Sequence, residues 1–244
     1  MEMETKKQRV TWITGASTGI GRALADVFTS RGDTVIASAR TESKLNELCR
    51  QISAARGTCE IIKCDVQSEA SVFEAVKKIL VLHGHIDVLI NNAGVTYFKD
   101  FMDTSIEEFD LVINTNLRGT FLTTKAVLPA MLQNQNGLVL NILSYVVKEV
   151  YAKSAAYSSS KAGAEAMMNV LRSEVRRQGI NIVNVYPGAV STPIWRQDQR
   201  EKFGNQMLTP EQVAEMLYQV SIQPLSLMVE EIVLRPQGGD LQVS

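Results

Sequence analysis

The sequence contains few residues of the kinds that bind metals, form disulfides or create a strong electrostatic field. Its 244 residues include 3 cysteines and 2 histidines, and 25 lysines and arginines nearly balance 26 aspartates and glutamates. A net charge of −1 provides no basic surface to attract nucleic acid or an anionic membrane. No apolar run approaches the ~18 residues of a membrane-spanning helix. These scarcities argue against a nucleic-acid-binding or membrane role and give no pattern typical of a metal site.

The three cysteines, Cys49, Cys59 and Cys64, are odd in number and form no CxxC pair. We therefore predict that all three are reduced thiols and that zinc is not bound. Residues 1–9 are polar and charged, so neither a secretion signal nor a membrane anchor is expected. Together these features predict a cytoplasmic protein.

Short apolar runs alternate with longer amphipathic stretches along most of the chain. The runs are apolar on both faces, which is typical of strands covered by helices on each side. The predicted strands are Val10–Thr14, Thr34–Ser38, Glu60–Cys64, Val88–Asn91, Leu138–Ile142, Ile182–Tyr186 and Glu231–Leu234. The predicted helices are Gly21–Ser30, Glu42–Ala55, Glu69–Leu82, 105–134 and 157–178. This alternation predicts an α/β fold in a single domain, residues 1–244, with a doubly wound parallel sheet of about seven strands and helices on both faces.

One stretch, residues 191–208, is polar and charged and has no clear periodicity around Trp195, Phe203 and Met207. A long irregular loop in a compact domain is more often functional than idle. We interpret it as a substrate loop that covers a ligand. An ordinary surface loop is the alternative.

The first predicted strand runs directly into the glycine-rich turn Thr14–Gly21, with the spacing TGxxxGxG, and a helix follows. Gly15 permits a sharp turn, Gly19 lets the backbone approach a pyrophosphate, and Gly21 allows close packing of helix and strand. Free N–H groups and the helix dipole favour a phosphate at this point. The turn therefore predicts a Rossmann-type dinucleotide site. Its predicted contacts are Gly15, Ser17, Thr18, Gly19, Ile20 and Gly21.

The end of the second strand indicates which nicotinamide dinucleotide is bound. An acidic residue there accepts a hydrogen bond from the ribose 2′-hydroxyl of NAD, whereas an arginine accommodates the 2′-phosphate of NADP. This chain has Arg40 at that point, and the next acidic residue is Glu42. NADP is therefore favoured, and NAD stays open as the alternative.

Among the six tyrosines, only Tyr157 has a lysine four residues later, Lys161. Residues i and i+4 share one face of a helix, so the ammonium can lie near the phenol and lower its pKa toward neutral pH. Ser144 follows the predicted strand Leu138–Ile142, where the carboxyl edge of the sheet opens onto a cofactor cleft. A hydroxyl donor and an acidified phenol together can bind and protonate one carbonyl oxygen. A solvated ion pair on a helix surface is the alternative interpretation.

Taken in chain order, the sequence motifs resemble those of the compact, single-domain form of the short-chain dehydrogenase/reductase family. The resemblance extends over nearly the whole chain and rests on TGASTGIG (Thr14–Gly21), Asp65-Val66, Asn91–Gly94, Asn114–Leu117, Ser144, Tyr157–Lys161 and Pro187-Gly188. It implies a catalytic tetrad of Asn116, Ser144, Tyr157 and Lys161. In that scheme Tyr157 is the general acid, Ser144 orients the carbonyl, Lys161 holds the nicotinamide ribose and Asn116 supports a proton-relaying water.

The resemblance also implies further cofactor contacts. Asp65 would bind the adenine, and Thr192 would reach the carboxamide of the nicotinamide. Thr18 stands where many NADP-preferring members have a basic residue, so Arg40 has no second cation beside it. The implied contacts outside the glycine turn are Arg40, Asp65, Val66, Asn92, Ala93, Gly94, Tyr157, Lys161, Pro187, Gly188, Val190 and Thr192.

The segments Pro187–Trp195 and Met228–Pro236 are similar to those of bacterial sepiapterin-reductase-like members, which reduce a side-chain dicarbonyl on a pterin. The predicted substrate residues are Ser144, Tyr145, Tyr151, Tyr157, Trp195 and Met207. Loop packing is the alternative for Tyr151 and Met207.

The leading hypothesis is an NADPH-dependent carbonyl reductase acting on a small ketone, a dicarbonyl or a pterin side chain. A 3-oxoacyl thioester reductase is the second hypothesis; it would need a basic patch for an acyl carrier, and the obvious cluster is Arg172, Arg176 and Arg177. A dinucleotide-binding sensor without catalysis is the third, although none of the four tetrad positions is altered. The resemblance also implies a homodimer or homotetramer formed through the helices 105–134 and 157–178.

Overall fold

Seven parallel strands form one sheet in the order β3-β2-β1-β4-β5-β6-β7. The computed structural model describes residues 8–55, 57–224 and 226–241. The strands are β1 Val10–Thr14, β2 Thr34–Ala39, β3 Thr58–Lys63, β4 Val88–Asn91, β5 Gly137–Ile142, β6 Ile180–Pro187 and β7 Glu231–Leu234. The strand order reverses between β1 and β4, and ligands of open α/β sheets bind at such a switch point. The predicted seven-stranded, Rossmann-type sheet is confirmed.

Eight α-helices connect the strands in the described ranges. They are α1 Gly19–Ser30, α2 Glu42–Ala54, α3 Glu69–His83, α4 Ile106–Ile113, α5 Gly119–Asn134, α6 Ala155–Val175, α7 Gln197–Phe203 and α8 Pro210–Ser221. The helix predicted over 105–134 is interrupted, because a π-helical turn at Asn114–Arg118 separates α4 from α5. None of the helices in these ranges is long and apolar enough to cross a bilayer.

Two apolar layers enclose the sheet, one on each face. Leu24 and Phe28 of α1 belong to the first layer, with apolar residues of α2 and α8. Val76 and Ile79 of α3 belong to the second, with residues of α5 and α6. Because helices cover both faces, the central strands are apolar on both sides, and every residue of β1 is buried.

A row of buried amides crosses three neighbouring strands. Asn91 of β4, Asn141 of β5 and Asn184 of β6 stand at matching register positions. The Asn91 amide donates to Asn141 Oδ1 (2.9 Å), and the Asn141 amide donates to Asn184 Oδ1 (3.3 Å). The Asn184 amide donates to Asn169 of α6 (2.9 Å), and Thr123 of α5 donates to Asn91 Oδ1 (2.6 Å). The row therefore joins the helices α5 and α6 through the sheet.

The cysteines differ from prediction. Cys49 of α2 and Cys59 of β3 form a disulfide, with their Cα atoms 5.3 Å apart, so the prediction of three reduced thiols is wrong for these two. Spacing along the chain does not reveal that α2 folds back against β3 after a short connection. Cys64 is free and buried, and burial raises the pKa of its thiol to about 11.

The segment 191–208 is more regular than predicted. It contains α7 and a 3₁₀ turn at Gly204–Gln206. A bridge between Val190 and Leu208 joins its two ends, and Ser191 N donates to the Leu208 carbonyl at 2.9 Å. The segment is therefore a loop that leaves the sheet after β6 and whose two ends are held together.

Candidate active site

The glycine turn lies between β1 and α1, at the switch point of the sheet. Gly15 and Gly19 have left-handed φ angles of +65° and +56°, which favour glycine. A Cβ at Gly21 would lie 2.4 Å from both Asn92 Nδ2 and the Gly15 carbonyl oxygen. The sequence-based roles of tight turn and close packing therefore have a steric basis here.

The turn is bonded to the segment after β4. The Asn92 side chain donates to the carbonyl oxygens of Thr14 and Gly15, each at 3.0 Å. The Thr14 hydroxyl accepts from the backbone N–H groups of Asn92 and Ala93, each at 3.1 Å. These bonds bring Asn92, Ala93 and Gly94 to the glycine turn. Thr14 was not among the predicted site residues, although it opens the motif.

The start of α1 offers unsatisfied backbone donors. Thr18 is the N-cap, and within the described residues its side chain caps none of the first N–H groups of the helix. Ala16 N donates to the Ser38 carbonyl at 3.0 Å, which places the end of β2 beside the turn. Exposed Arg40 follows β2 directly. The Ser38 hydroxyl accepts from the buried Trp12 indole at 2.8 Å and faces inward. The exposed Arg40 side chain is therefore placed beside the glycine turn, where it is able to face a ligand.

Ser144, Tyr157 and Lys161 meet at the carboxyl end of β5. Tyr157 lies in the first turn of α6, and Lys161 one turn later places Nζ 5.8 Å from the Tyr157 ring centroid. The Lys161 ammonium donates to the Ile142 carbonyl oxygen at 2.6 Å, which fixes α6 against the end of the strand that leads to Ser144. Both side chains are buried, with exposed fractions of 9% for Tyr157 and 6% for Lys161.

Burial controls the acidity of this pair. It raises the pKa of Tyr157, and a hydrogen bond with Ser144 opposes that shift only in part. Burial lowers the pKa of Lys161 to about 8. The pKa of Tyr157 is therefore not lowered toward neutral pH as predicted, because burial outweighs the hydrogen bond that favours the phenolate. A phenol with a raised pKa remains protonated at neutral pH and is therefore able to donate its proton.

Asn116 occupies the middle of the π-helical turn and is 1% exposed. Its amide donates to the Val95 carbonyl (2.9 Å) and to the Ser160 hydroxyl (3.0 Å), and its oxygen accepts from Val95 N (2.9 Å). The Ser160 hydroxyl donates in turn to the Tyr157 carbonyl at 2.7 Å. The side chain therefore ties the segment after β4 to the helix that carries Tyr157. Sequence reasoning missed Ser160 as the link, since its partner is 44 residues away.

A stacked pair of aromatic rings reaches Tyr157 through Phe98. Phe98 makes an edge contact with the Tyr157 ring, with centroids 6.2 Å apart, and stacks on Trp195 at 6.0 Å with 24° between the planes. Trp195 is thus connected to Tyr157 through Phe98, a residue that the sequence-based prediction does not include. The signal for Phe98 was its position four residues after the Asn91–Gly94 motif.

The other predicted site residues are distributed around this centre. Tyr145 and Tyr151 turn toward the C-terminal segment, and Met207 is buried beside the closing bridge of segment 191–208. Thr192 is buried, and a Cβ at Gly19 would lie 3.1 Å from it. The remaining predicted cofactor residues are Ser17 and Ile20 at the glycine turn, Asp65 and Val66 after β3, and Pro187, Gly188 and Val190 at the end of β6.

The edge of the sheet fits a dinucleotide. The glycine cradle leaves no room for a Cβ at Gly21, the donors at the start of α1 lack a side-chain cap in the described part of the chain, and Arg40 marks one end of the cleft. Tyr157, in the first turn of α6, lies on the other side of the switch point between β1 and β4. Backbone donors and a helix N-terminus suit a pyrophosphate.

Comparisons with known proteins agree with this arrangement. The model of the short chain dehydrogenase family matches residues 9–202. A sepiapterin reductase of Chlorobaculum tepidum is 35% identical over 237 residues, which are 94% of this chain and 97% of that protein. A metagenomic short-chain oxidoreductase solved in complex with NADP has 31% identity and a TM-score of 0.83, with coverage of 94% of this chain and 97% of that one. A variant of the actinorhodin polyketide ketoreductase solved with NADPH has 29% identity and a TM-score of 0.88, with coverage of 96% and 98%.

Proposed function

Because the chain belongs to the short-chain dehydrogenase family, we propose that it reduces a carbonyl group to an alcohol with NADPH and that Tyr157 is the general acid. The observation that carries this proposal is the buried Tyr157 phenol, hydrogen-bonded to Ser144 and one helical turn from the buried Lys161. Membership of the family supports the class of reaction, and these three side chains support the proposed proton transfer to the carbonyl oxygen.

The cofactor is proposed to lie along the carboxyl edge of the sheet. Its pyrophosphate would be held by the N–H groups of Ser17–Gly21 and its 2′-phosphate by Arg40, with Asp65 at the adenine and Thr192 at the carboxamide. NADP and NADPH are the ligands of two structural neighbours, which supports the same choice for this chain. When bound, NADPH supplies the hydride that adds to the carbonyl carbon.

Tyr157 and Ser144 act together on the carbonyl oxygen. The Ser144 hydroxyl orients this oxygen, and the Tyr157 phenol transfers its proton to it as the carbon is reduced, so the product is a neutral alcohol. The proton leaves a phenolate on Tyr157, and the nearby Lys161 ammonium stabilises that charge. Asn116 acts by position: its bonds to Val95 and Ser160 hold the helix that carries Tyr157.

The substrate is proposed to be a small, flat carbonyl compound, such as an aryl ketone, a dicarbonyl or a carbonyl on a pterin side chain. The Phe98–Trp195 pair beside Tyr157 offers an aromatic surface that suits a conjugated ring. The sepiapterin reductase relative supports the same class.

The 3-oxoacyl thioester hypothesis loses its main support in the structure. Arg172 is buried and donates to the carbonyl oxygens of Ile182 and Glu230, at 2.8 and 2.7 Å. Arg176 pairs with the Glu230 carboxylate at 3.1 Å. Arg172 is therefore unavailable to an acyl carrier, and the charge of Arg176 is paired with a carboxylate, which weakens the basic patch that this hypothesis needs.

The first test follows cofactor oxidation by the purified protein with sepiapterin, aryl ketones, diketones and a 3-oxoacyl thioester. We expect turnover of a ketone or of sepiapterin with NADPH, and a higher kcat/KM with NADPH than with NADH. Arg40→Ala should raise the KM for NADPH by about 10- to 100-fold, because a charge-assisted hydrogen bond is worth about 1.5–3 kcal/mol. The KM for NADH should stay the same.

Arg50→Ala is the matched control, since Arg50 is an exposed arginine on α2 whose guanidinium donates to the Asn46 carbonyl. It should leave both cofactor KM values unchanged. A preference for NADH in the wild type would contradict the role of Arg40. Turnover confined to the thioester would replace the proposed substrate class.

The pH profile should report the ionisation of Lys161. With a pKa of about 8, this lysine loses its charge as the pH rises through 8, while Tyr157, with its raised pKa, keeps its proton. We expect kcat/KM for reduction to be flat near neutrality and to fall about tenfold per pH unit above pH ~8.

The contribution of Lys161 to protein stability should move in the opposite direction. The pKa of Lys161 is lower in the folded state than its ordinary 10.5, so between pH ~8 and ~10.5 the unfolded chain binds more protons and the contribution of Lys161 to stability rises with pH. A loss of folding stability caused by Lys161 therefore does not explain the fall in kcat/KM above pH ~8. A kcat/KM that stays constant to pH 10 would refute the assignment.

A further inference from the structure

The last strand and the residues after it reach the loop that follows Ser144. We call residues 145–151 the post-serine loop and residues 235–241 the C-terminal strap. β7 is the edge strand of the sheet beside β6, and the strap continues from it. Side chains of β7 and the strap contact the post-serine loop at three places.

The first contact joins Arg235 to Tyr145, the residue directly after Ser144. The Arg235 guanidinium lies over the Tyr145 ring, 4.2 Å from its centroid, and donates to the Tyr145 hydroxyl at 3.2 Å. This cation–π contact with a hydrogen bond fixes the direction of the ring. The phenol of Tyr145 is thereby directed toward the strap.

The second contact runs through Asp240. Its carboxylate pairs with Arg235 at 2.9 Å, which holds the guanidinium in position over Tyr145. It also acts on Tyr151 at the other end of the loop: burial raises the pKa of that phenol, and hydrogen bonding to Asp240 raises it further. The Asp240 carboxylate therefore holds Arg235 over Tyr145 and lies near enough to Tyr151 to raise the pKa of its phenol.

The third contact lies in the middle of the loop. The Lys148 ammonium donates to Glu231 of β7 at 3.3 Å and to Glu165 of α6 at 2.8 Å. Glu165 also accepts from the Tyr186 hydroxyl at 2.6 Å. Lys148 thus connects the loop to the helix of Tyr157 as well as to the edge strand.

The loop has little packing of its own. Residues 148–150 are exposed, and Val150 is 93% exposed. A cavity of about 440 Å³ lies beside the loop and is lined by residues 146–151 and Ser158 among others. The first part of the loop is held by a 3₁₀ turn at Tyr145–Val147 and by packing of Val147 on the cluster of Leu143 and Tyr186. Polar contacts from α6, β7 and the strap add to that support.

We propose that Arg235 and Asp240 are positioning residues that hold the post-serine loop as the wall of the carbonyl site and thereby determine which substrates it accepts. This inference rests on the proposed function for its effect on substrate, but the contacts themselves do not depend on the reaction. The strap touches neither the glycine turn nor Arg40 in the contacts described, but it begins beside Gly188, where a Cβ would lie 3.3 Å from Pro236. Because Gly188 is one of the proposed cofactor contacts, NADPH affinity is measured alongside the effect on substrate.

The test compares wild type, Arg235→Gln, Asp240→Asn and the double variant in the full chain. Hydrogen–deuterium exchange of residues 145–151 is measured without substrate, together with the Kd for NADPH and the KM and kcat for the best carbonyl substrate of the panel. We expect exchange in the loop and the substrate KM each to rise about tenfold in both single variants. The NADPH Kd should stay within about twofold, and the double variant should be no worse than either single one.

Arg31→Gln is the matched control. Arg31 also pairs with a carboxylate, Glu215 at 3.1 Å, and lies over a tyrosine ring, Tyr218 at 5.3 Å, but on α1 and α8. It should change neither the loop exchange nor the substrate KM. Unchanged loop exchange or unchanged KM in Arg235→Gln would overturn the proposal, as would an equal loss of NADPH affinity. A wild type that reduces no carbonyl would overturn the proposed function, and the exchange data would still decide whether the strap holds the loop.

Discussion

Replacing Tyr157 with phenylalanine is expected to lower kcat for carbonyl reduction about 1000-fold, which corresponds to about 4 kcal/mol of activation free energy. The phenol is the group that supplies a proton to the substrate oxygen, and phenylalanine keeps the ring while removing that proton. The ring is buried and contacts Phe98, so the edge contact and the packing persist. Stopped-flow or steady-state measurement of NADPH oxidation gives kcat, and a fluorescence titration gives the Kd for NADPH, which should change little.

Tyr218→Phe is the control for this substitution. Tyr218 of α8 makes an edge contact with Phe28, and Arg31 lies over its ring. Neither contact involves Tyr157, and phenylalanine retains both. Its kcat should equal that of the wild type. A Tyr157→Phe variant that keeps more than a tenth of wild-type kcat would remove Tyr157 as the acid.

Substituting alanine for Gly21 is expected to weaken NADPH binding at least 100-fold and to lower the free energy of unfolding by about 1–3 kcal/mol. The new Cβ would lie 2.4 Å from Asn92 Nδ2 and from the Gly15 carbonyl oxygen, so both must move. Those are the atoms of a hydrogen bond that closes the turn, at 3.0 Å. The turn would open at the point where the pyrophosphate is proposed to bind. Isothermal titration with NADPH and thermal unfolding measure the two effects.

A second substitution covers the case in which Gly21→Ala does not fold. In Gly19→Ala the Cβ meets Thr192 at 3.1 Å and the backbone holds a φ of +56°, which is strained for alanine. NADPH affinity should fall here as well. Gly204→Ala, whose Cβ meets no atom nearer than 3.8 Å, is the control for stability. Wild-type affinity in Gly19→Ala would refute the phosphate site.

The glycine turn, the central strands and the Tyr157 helix were predictable because each depends on a local sequence pattern. The TGxxxGxG spacing needs only the adjoining strand and helix, and Tyr157 and Lys161 share a helix face by their spacing alone. Apolar runs on both faces indicated the central strands, and β1, β4 and β7 have the predicted bounds.

The features that were not predictable depend on contacts between residues that are distant in the sequence. Phe98 reaches Tyr157 across 59 residues of sequence, and Cys49 reaches Cys59 only because α2 packs on β3. The π-helical turn around Asn116 keeps a helical periodicity in sequence, so the helix 105–134 looked continuous. The Asn116 side chain in this turn bonds to Val95 and Ser160, and hydrophobic periodicity does not predict such bonds.

The amide row across β4, β5 and β6 has a consequence for how this enzyme can diversify. Because side chains alternate between the faces of a strand, a slip of β5 by one residue would turn Asn141 to the opposite face and leave the amides of Asn91 and Asn184 buried without their partner. The relative heights of the strand ends that carry Asn92, Ser144 and Pro187 are therefore locked together. Insertions or exchanges in the loops beyond those ends can reshape the substrate wall while the spacing of the reacting groups stays the same.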